Sequence, residues 1–258
     1  MSSVPLPTAT GPDPDWEYID LWSAVRSALF SLPSRFQSEL FVSGVLATDL
    51  FAFNSSLAAT IEEQVVASLN RLRTVWDPDQ RYALYSFERQ AQTFPDVILR
   101  TTSPGVQPRI ILGIELKGWY ILANEKKPSF RYKVTPQACA PADLLVVVPW
   151  ALSRVVSGSP QVFNPYVVGA RYAAELRNHW WQHQRTTQGN AAITLSSHAG
   201  FYPVKTDAIS DVPAEDQSNF GRLARTGVMD RYMEEVFSDS LMGISVDKWQ
   251  RFLSSASP

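Results

Sequence analysis

Cysteine is nearly missing from this chain of 258 residues. Cys139 stands alone, so no intrachain disulfide can form and a cysteine-based zinc cluster is excluded. No apolar run approaches the roughly 18 residues needed to cross a bilayer. Residues 1–15 carry no basic residue, unlike the start of a secretory leader. A soluble, cytoplasmic protein is the expectation. A Gly-rich loop ending in Gly-Lys-Ser/Thr is also missing, and no helicase or methyltransferase signature is visible. Charge of one sign is not in excess: the net charge of -2 argues against a protein that coats nucleic acid indiscriminately.

What is present is an ordinary globular composition, 45% hydrophobic and 19% charged, which excludes disorder over most of the length. Eight Trp and thirteen Phe imply aromatic-rich cores or interfaces. Charge is unevenly spread. Residues 121–190 hold eight Lys or Arg against three Asp or Glu, whereas the two ends are acidic. A basic middle suits phosphate contact as well as it suits an ordinary solvated face.

Residues 1–15 read as a flexible arm, and 16–258 as one domain. Helical spacing of Ile19, Trp22, Val25 and Leu29 predicts a helix over 15–30, and a second is expected over 33–46. A third starts at Asn54 or Ser55 and carries Leu57, Ile61, Val65, Leu69 and Leu72 along one side. Strands are expected over 82–87, 96–101 and 109–122, with a Pro/Gly loop over 102–108. A short helix follows over 135–140, Pro136 lying in its first turn. Five consecutive apolar residues, Leu144 to Val148, read as a strand buried on both faces. Beyond them, 167–184 and 230–237 read as helices and 191–195 as a late strand. The order is that of an α/β core of about 55–150, with a mainly helical extension over 151–258.

Two short strings nineteen residues apart carry the chemistry: Phe94-Pro95-Asp96-Val97 and Ile114-Glu115-Leu116-Lys117. In a strand, residues i and i+2 share a face. Glu115 and Lys117 therefore project together, opposite Ile114 and Leu116. A hairpin would add Asp96, giving two carboxylates and an ammonium at one point. Carboxylate oxygens suit a hard cation such as Mg²⁺, and a lysine beside it can stabilise charge developing on a phosphate. Glu62 lies about 140° around its helix from Leu57, at the border of the apolar stripe, while Glu63 points further towards solvent. Glu62 is thus the better third acid, the alternative being that both are solvated helix residues.

Pro95-Asp96, then Glu115-Leu116-Lys117, preceded by a helical Glu62 and followed by a helix and a buried strand, resembles the PD-(D/E)XK nuclease superfamily. The resemblance covers roughly 55–150 and implies a restriction-endonuclease-like core, a small mixed β-sheet flanked by helices. By that resemblance Asp96 and Glu115 would bind Mg²⁺, with Glu62 as the helix-borne third acid and Mn²⁺ able to substitute, and Lys117 would be the catalytic lysine. The chain looks most like a type II restriction endonuclease, a homodimer cutting double-stranded DNA. A repair, recombination or defence nuclease on branched or single-stranded DNA is one alternative. A DNA-binding protein that keeps the fold without the activity is another.

Candidate DNA contacts are Arg89, Gln90 and Gln92 before Asp96, since Arg pairs with guanine edges and Gln with adenine edges. Arg131 and Lys133 interleave with aromatics, Gln137 follows in the short helix, and Arg222 and Arg225 flank a glycine turn. Arg131, Lys133 and Gln137 are equally explained as a surface strand and a helix polar face, Arg89, Gln90 and Gln92 as a polar loop, and Arg222 and Arg225 as a subunit interface. Glu175, His179 and His183 fall at i, i+4 and i+8, a zinc-compatible spacing read here as an ordinary surface helix. Cys139 is expected to be a small buried filler.

Overall fold

The computed structural model describes residues 4–44, 47–90, 92–102, 105, 108–123, 127–185, 190–215 and 219–256, without side chains for 47–56 and 256. Helices α1 (Ile19–Phe30), α2 (Leu32–Arg35), α3 (Ala47–Arg71) and α4 (Arg73–Trp76) come first. Strands β1 (Tyr85–Arg89), β2 (Val97–Thr101) and β3 (Ile110–Tyr120) follow, then a single 3-10 turn (Pro136–Ala138). Next come β4 (Leu144–Leu152), β5 (Pro160–Val162), β6 (Tyr166–Gly169), α5 (Ala170–His179) and a π-helical turn (Trp180–Gln184). The small strand pair β7 (Ile193–Thr194) with β8 (Val212–Pro213) precedes α6 (Asp230–Ser238), and β9 (Ser240–Leu241) with β10 (Ile244–Ser245) lies between α6 and α7 (Val246–Ala256).

The architecture is mixed α/β. Strands β1, β2 and β3 form an antiparallel meander, β3 pairs parallel with β4, and β5 and β6 share the far edge of β4. All nine residues of β4 are buried, which is why its sequence reads as an unbroken apolar run rather than an alternation. Helix α3 covers one face: its Ile61, Val65 and Leu69 share a core with Ile114, Leu116 and Val146. On the other face Leu145 packs with Phe94, Tyr132, Ala138, Cys139 and the small residues Ala170, Ala173 and Ala174 of α5. Cys139 is fully buried there. Met229, Met233, Val236, Leu253 and other C-terminal residues belong to the same core as α3 and β3. Among the described residues no helix is long and apolar enough to cross a membrane.

Several expectations are corrected. The helix over 33–46 stops at Arg35, and residues 36–43 alternate between half-buried and exposed, a period of two that marks extended chain. Val42 bridges Gly158 there; positions 45–46 lie outside the described residues. Helix α3 begins at Ala47, before Asn54 and Ser55, whose side chains are not described. The first helix starts at Ile19, and β1 is shifted two to three residues along, to Tyr85–Arg89. The helix over 135–140 is one 3-10 turn, because Cys139 is already extended (φ -88°, ψ 119°). The helix over 167–184 begins only at Ala170: Val167 and Val168 are β-branched and pair with β4 instead. Of the loop over 102–108, only Thr102, Gly105 and Pro108 are described. Helix α5 is no surface helix, since Ala173, Ala174, Arg177 and Asn178 are buried. Residues 4–15, expected as a flexible arm, have no helix or strand; Val4 offers its carbonyl to His179 (3.1 Å), and Pro12 is buried.

Arg177 ties α5 to this face from inside. Its guanidinium donates to the carbonyls of Tyr132 and Val134 (2.7 and 3.0 Å) and to Asp211 (2.5 Å), with almost no exposure. Burial holds this arginine below its usual pKa, and Asp211 opposes that shift.

Candidate acidic site at the open edge of β3

Strand β2 accompanies β3 only as far as the pair Val97 and Ile114, whereas β3 runs on to Tyr120. Beyond Ile114 the β2-side edge of β3 is left without a strand. Backbone N–H groups at alternate residues point to one edge, and here two carboxylates face them. Leu116 N–H donates to Asp96 Oδ2 (2.9 Å), and the Gly118 N–H lies near enough to Glu62 to favour its charged form. A divergence of two strands thus collects an acid from each side.

Asp96 is aimed by its neighbours. Pro95 sits so close to β3 that a Cβ on Gly113 would lie 2.2 Å from its ring. Gln90 braces the same loop, its backbone N–H donating to the Asp96 carbonyl (2.7 Å) and its side-chain amide to that of Pro95 (3.1 Å). Glu62 is aimed by packing: a Cβ on Gly118 would lie 3.1 Å from that of Ala58, so the glycine lets α3 approach β3 one turn before Glu62. Glu63, on the same helix, is exposed.

Glu115 and Lys117 share a face of β3, as alternation predicts. Lys117 Nζ lies 2.7 Å from Glu115 Oε1 and 3.4 Å from Asp96 Oδ2. Burial, helped by Asp96, pushes the Glu115 carboxyl up to about 7 despite the ammonium beside it. Lys117 moves above its ordinary value although burial opposes this, because Glu115, Asp96 and Glu62 all favour its charge. Glu62 is likewise raised by burial and by Asp96, with Lys117, the Gly118 N–H and Arg89 opposing. The Arg89 guanidinium stands 4.0 Å from Glu62.

The group concentrates carboxylate charge at one edge of the sheet. Glu115 Oε2 is buried without a hydrogen-bond partner, an arrangement that costs about 1–3 kcal/mol unless something else satisfies it. All the donors are hard carboxylate oxygens, which fit Mg²⁺ or Mn²⁺. Among the described residues no three His, Cys, Asp or Glu side chains are placed so that they could hold a metal ion together. The Lys117 ammonium sits between Asp96 and Glu115 and balances part of their charge.

The other candidates separate. Arg89 adjoins the acidic group, Gln90 turns inward as a brace, and Gln92 is exposed with φ +60°. Arg131 and Arg225 are exposed, and Lys133 and Arg222 half-buried; Tyr132 N–H bonds the Gly221 carbonyl (2.8 Å), bringing these two segments together. Gln137 is exposed and accepts a bond from Thr135 (2.6 Å). The rings of His179 and His183 lie 5.0 Å apart, but Glu175 faces a different cleft with Gln137.

Three supports escaped sequence reasoning: Gln90, Gly118 and Asp143. Buried Asp143 accepts from Gly113 N–H and Ala140 N–H, both at 2.7 Å, and its carboxyl is pushed up to about 6 mainly by burial. The available signal was glycine in the interior of an apolar strand, at 113 and 118, which marks close approach by another group.

Comparison with protein-family models, with curated proteins and with solved structures finds no significant match to this chain.

Proposed function

We propose that this protein is a metal-dependent DNA endonuclease of the PD-(D/E)XK type, with Asp96, Glu115 and Lys117 as its centre and Glu62 as the helix-borne acid. The observation that carries the reading is the convergence of Asp96, Glu115 and Lys117 within hydrogen-bonding reach at an open strand edge, with Glu62 beside them. The order helix α3, meander β1–β3, turn and parallel β4 also suits a restriction-endonuclease-like core. In one respect it departs: among the described residues the crossover to β4 holds only a 3-10 turn, and α5, which follows β4 and β6, covers that face.

Asp96 and Glu115 would hold Mg²⁺, with Glu62 completing the oxygen set. Such an ion polarises a phosphodiester and lowers the pKa of bound water. Lys117, kept charged by three acids, offers an N–H to the attacking water or to the phosphate oxygen that gains charge. Arg89, exposed at the rim beside Glu62, can take a neighbouring phosphate. Water attack in line would leave 5′-phosphate and 3′-hydroxyl ends. We take double-stranded DNA as substrate and a homodimer cutting both strands as the working form, in the manner of type II restriction enzymes.

The test is incubation of the purified protein with phage DNA and Mg²⁺ or Mn²⁺. Discrete bands support restriction-type cleavage, and smearing or nicking a less selective nuclease. Asp96→Asn and Lys117→Met should each lower cleavage by at least about a hundredfold, comparable to removing one transition-state charge contact. Normal cutting by both variants sinks the assignment. No cutting of any DNA by the unmodified protein leaves only the DNA-binding reading.

A further inference from the structure

A second concave site lies on the sheet face that carries Glu115. It is a cleft of about 250 Å³ between the 3-10 turn, α5 and the loop around Phe201. Four side chains give it a distinctive chemistry. Phe201 is half exposed, at 49%, and presents a ring over which the Arg171 guanidinium lies 5.7 Å from the centroid. Arg171 is itself held, donating through Nε and Nη2 to the Cys139 carbonyl (3.2 and 2.8 Å). Glu175 lies one helical turn after Arg171 and lines the same cleft. On the opposite wall Thr135 Oγ1 holds the carbonyl end of the Gln137 amide, so the N–H₂ end is the one left for a ligand.

An aromatic ring, a guanidinium plane, one donor and one acceptor are the components by which proteins grip an unstacked base. We propose that this cleft binds a single nucleobase whose exocyclic amino group adjoins an unprotonated ring nitrogen on its pairing edge, adenine or cytosine. Phe201 stacks on the base, Glu175 accepts from the amino group and the Gln137 amide donates to the adjacent ring nitrogen. Thymine presents a carbonyl where Glu175 needs a donor and is rejected. The inference rests on the nuclease reading for its substrate, an extruded or unpaired base of a DNA strand. Its placement supports this. Tyr202, next to Phe201, donates to Asp143 Oδ1 (3.4 Å), the same atom that accepts from Gly113 N–H. Gly113 is two residues from Glu115, about 7 Å along β3, so cleft and acidic site hang on one frame.

The experiment uses the full chain carrying Asp96→Asn, so that strands stay whole, and fluorescence anisotropy with labelled single-stranded oligo(dA), oligo(dC) and oligo(dT) without metal. Oligo(dA) and oligo(dC) should bind about tenfold more tightly than oligo(dT). Phe201→Ala should weaken the first two about tenfold, and Glu175→Gln should erase the preference; both positions are solvent-accessible, and circular dichroism checks that folding is kept. Competition with dAMP separates the sources: effective competition assigns the site to a free nucleotide, and its failure to a base within a strand. Equal binding of all three strands, or binding indifferent to both substitutions, overturns the proposal. These outcomes do not depend on cleavage, so a protein that cuts DNA without base preference refutes the cleft alone. One that binds dA and dC selectively but never cuts DNA refutes the nuclease alone.

Discussion

Adding a divalent cation should stabilise the folded protein, and the size of the effect should depend steeply on pH. Asp96, Glu115 and Glu62 crowd one half-buried corner, with Lys117 against Asp96 and Glu115 and Arg89 beside Glu62, and Glu115 Oε2 has no partner. An ion that binds only the folded state adds about 2.7 kcal/mol at a hundred times its Kd. For a chain of this size each kcal/mol moves Tm by about 2–4 °C, so the rise should be roughly 5–10 °C at pH 8. The proton competes for the same oxygen. Because Glu115 titrates near pH 7, the apparent affinity should fall about tenfold for each pH unit below that, and the rise should shrink sharply by pH 6. Differential scanning fluorimetry with Mg²⁺ and Mn²⁺, at matched ionic strength and several pH values, measures it. Glu115→Gln and Asp96→Asn should lose the rise. No rise in the unmodified protein at any concentration up to tens of millimolar, or an equal rise in both variants, refutes the cation site.

Without metal, Glu115 also sets a proton linkage. Its folded pKa lies above the ordinary 4.5 at about 7, so its contribution to stability is full below about pH 4.5 and is lost as pH rises through 7. The loss is at most about 3 kcal/mol. Urea titrations should show that Glu115→Gln removes this decline; an unchanged slope between pH 5 and 8 contradicts it. Gly118→Val should cost about 1–3 kcal/mol by forcing α3 from β3, and should lower cleavage more than an equally destabilising change elsewhere, because Glu62 moves with the helix; equal loss in both would dissociate Glu62 from the site. Asp211→Ala should cost about 3–5 kcal/mol in urea unfolding, since it strands the buried Arg177. A cost under 1 kcal/mol would show that the Asn178 and carbonyl contacts suffice.

The parts legible in the sequence are those where one physical demand dominates. The run Leu144 to Val148 has to be a strand buried on both faces, and β4 is one. Glu115 and Lys117 share a face because strand alternation allows nothing else. Hidden were the choices made by partners distant in sequence. Residues 36–43 have apolar spacing compatible with a helix, but Val42 finds Gly158. Val167 and Val168 fit a helix until β4 offers an edge. Helix α7 carries Val246, Trp249 and Leu253 at helical spacing and so is open to prediction; only its Gln250, buried by donating to the Ile121 carbonyl, gives no apolar signal. At the site, the acids could be named, but the place where β2 parts from β3 could not. That point depends on Pro95 lodging against Gly113, a contact between residues eighteen apart.

That parting has a consequence for solubility. A strand edge with free amides is a template for another chain, and proteins blunt such edges with charge. Along β3 the blunting is done by Asp96, which occupies the amide of Leu116, with Glu62 beside the amide of Gly118. The acids proposed for cleavage therefore also act as the guard of the sheet. Replacing Asp96 by a residue without an acceptor would leave the Leu116 N–H open to another chain, coupling the chemistry of the centre to the protein's resistance to self-association.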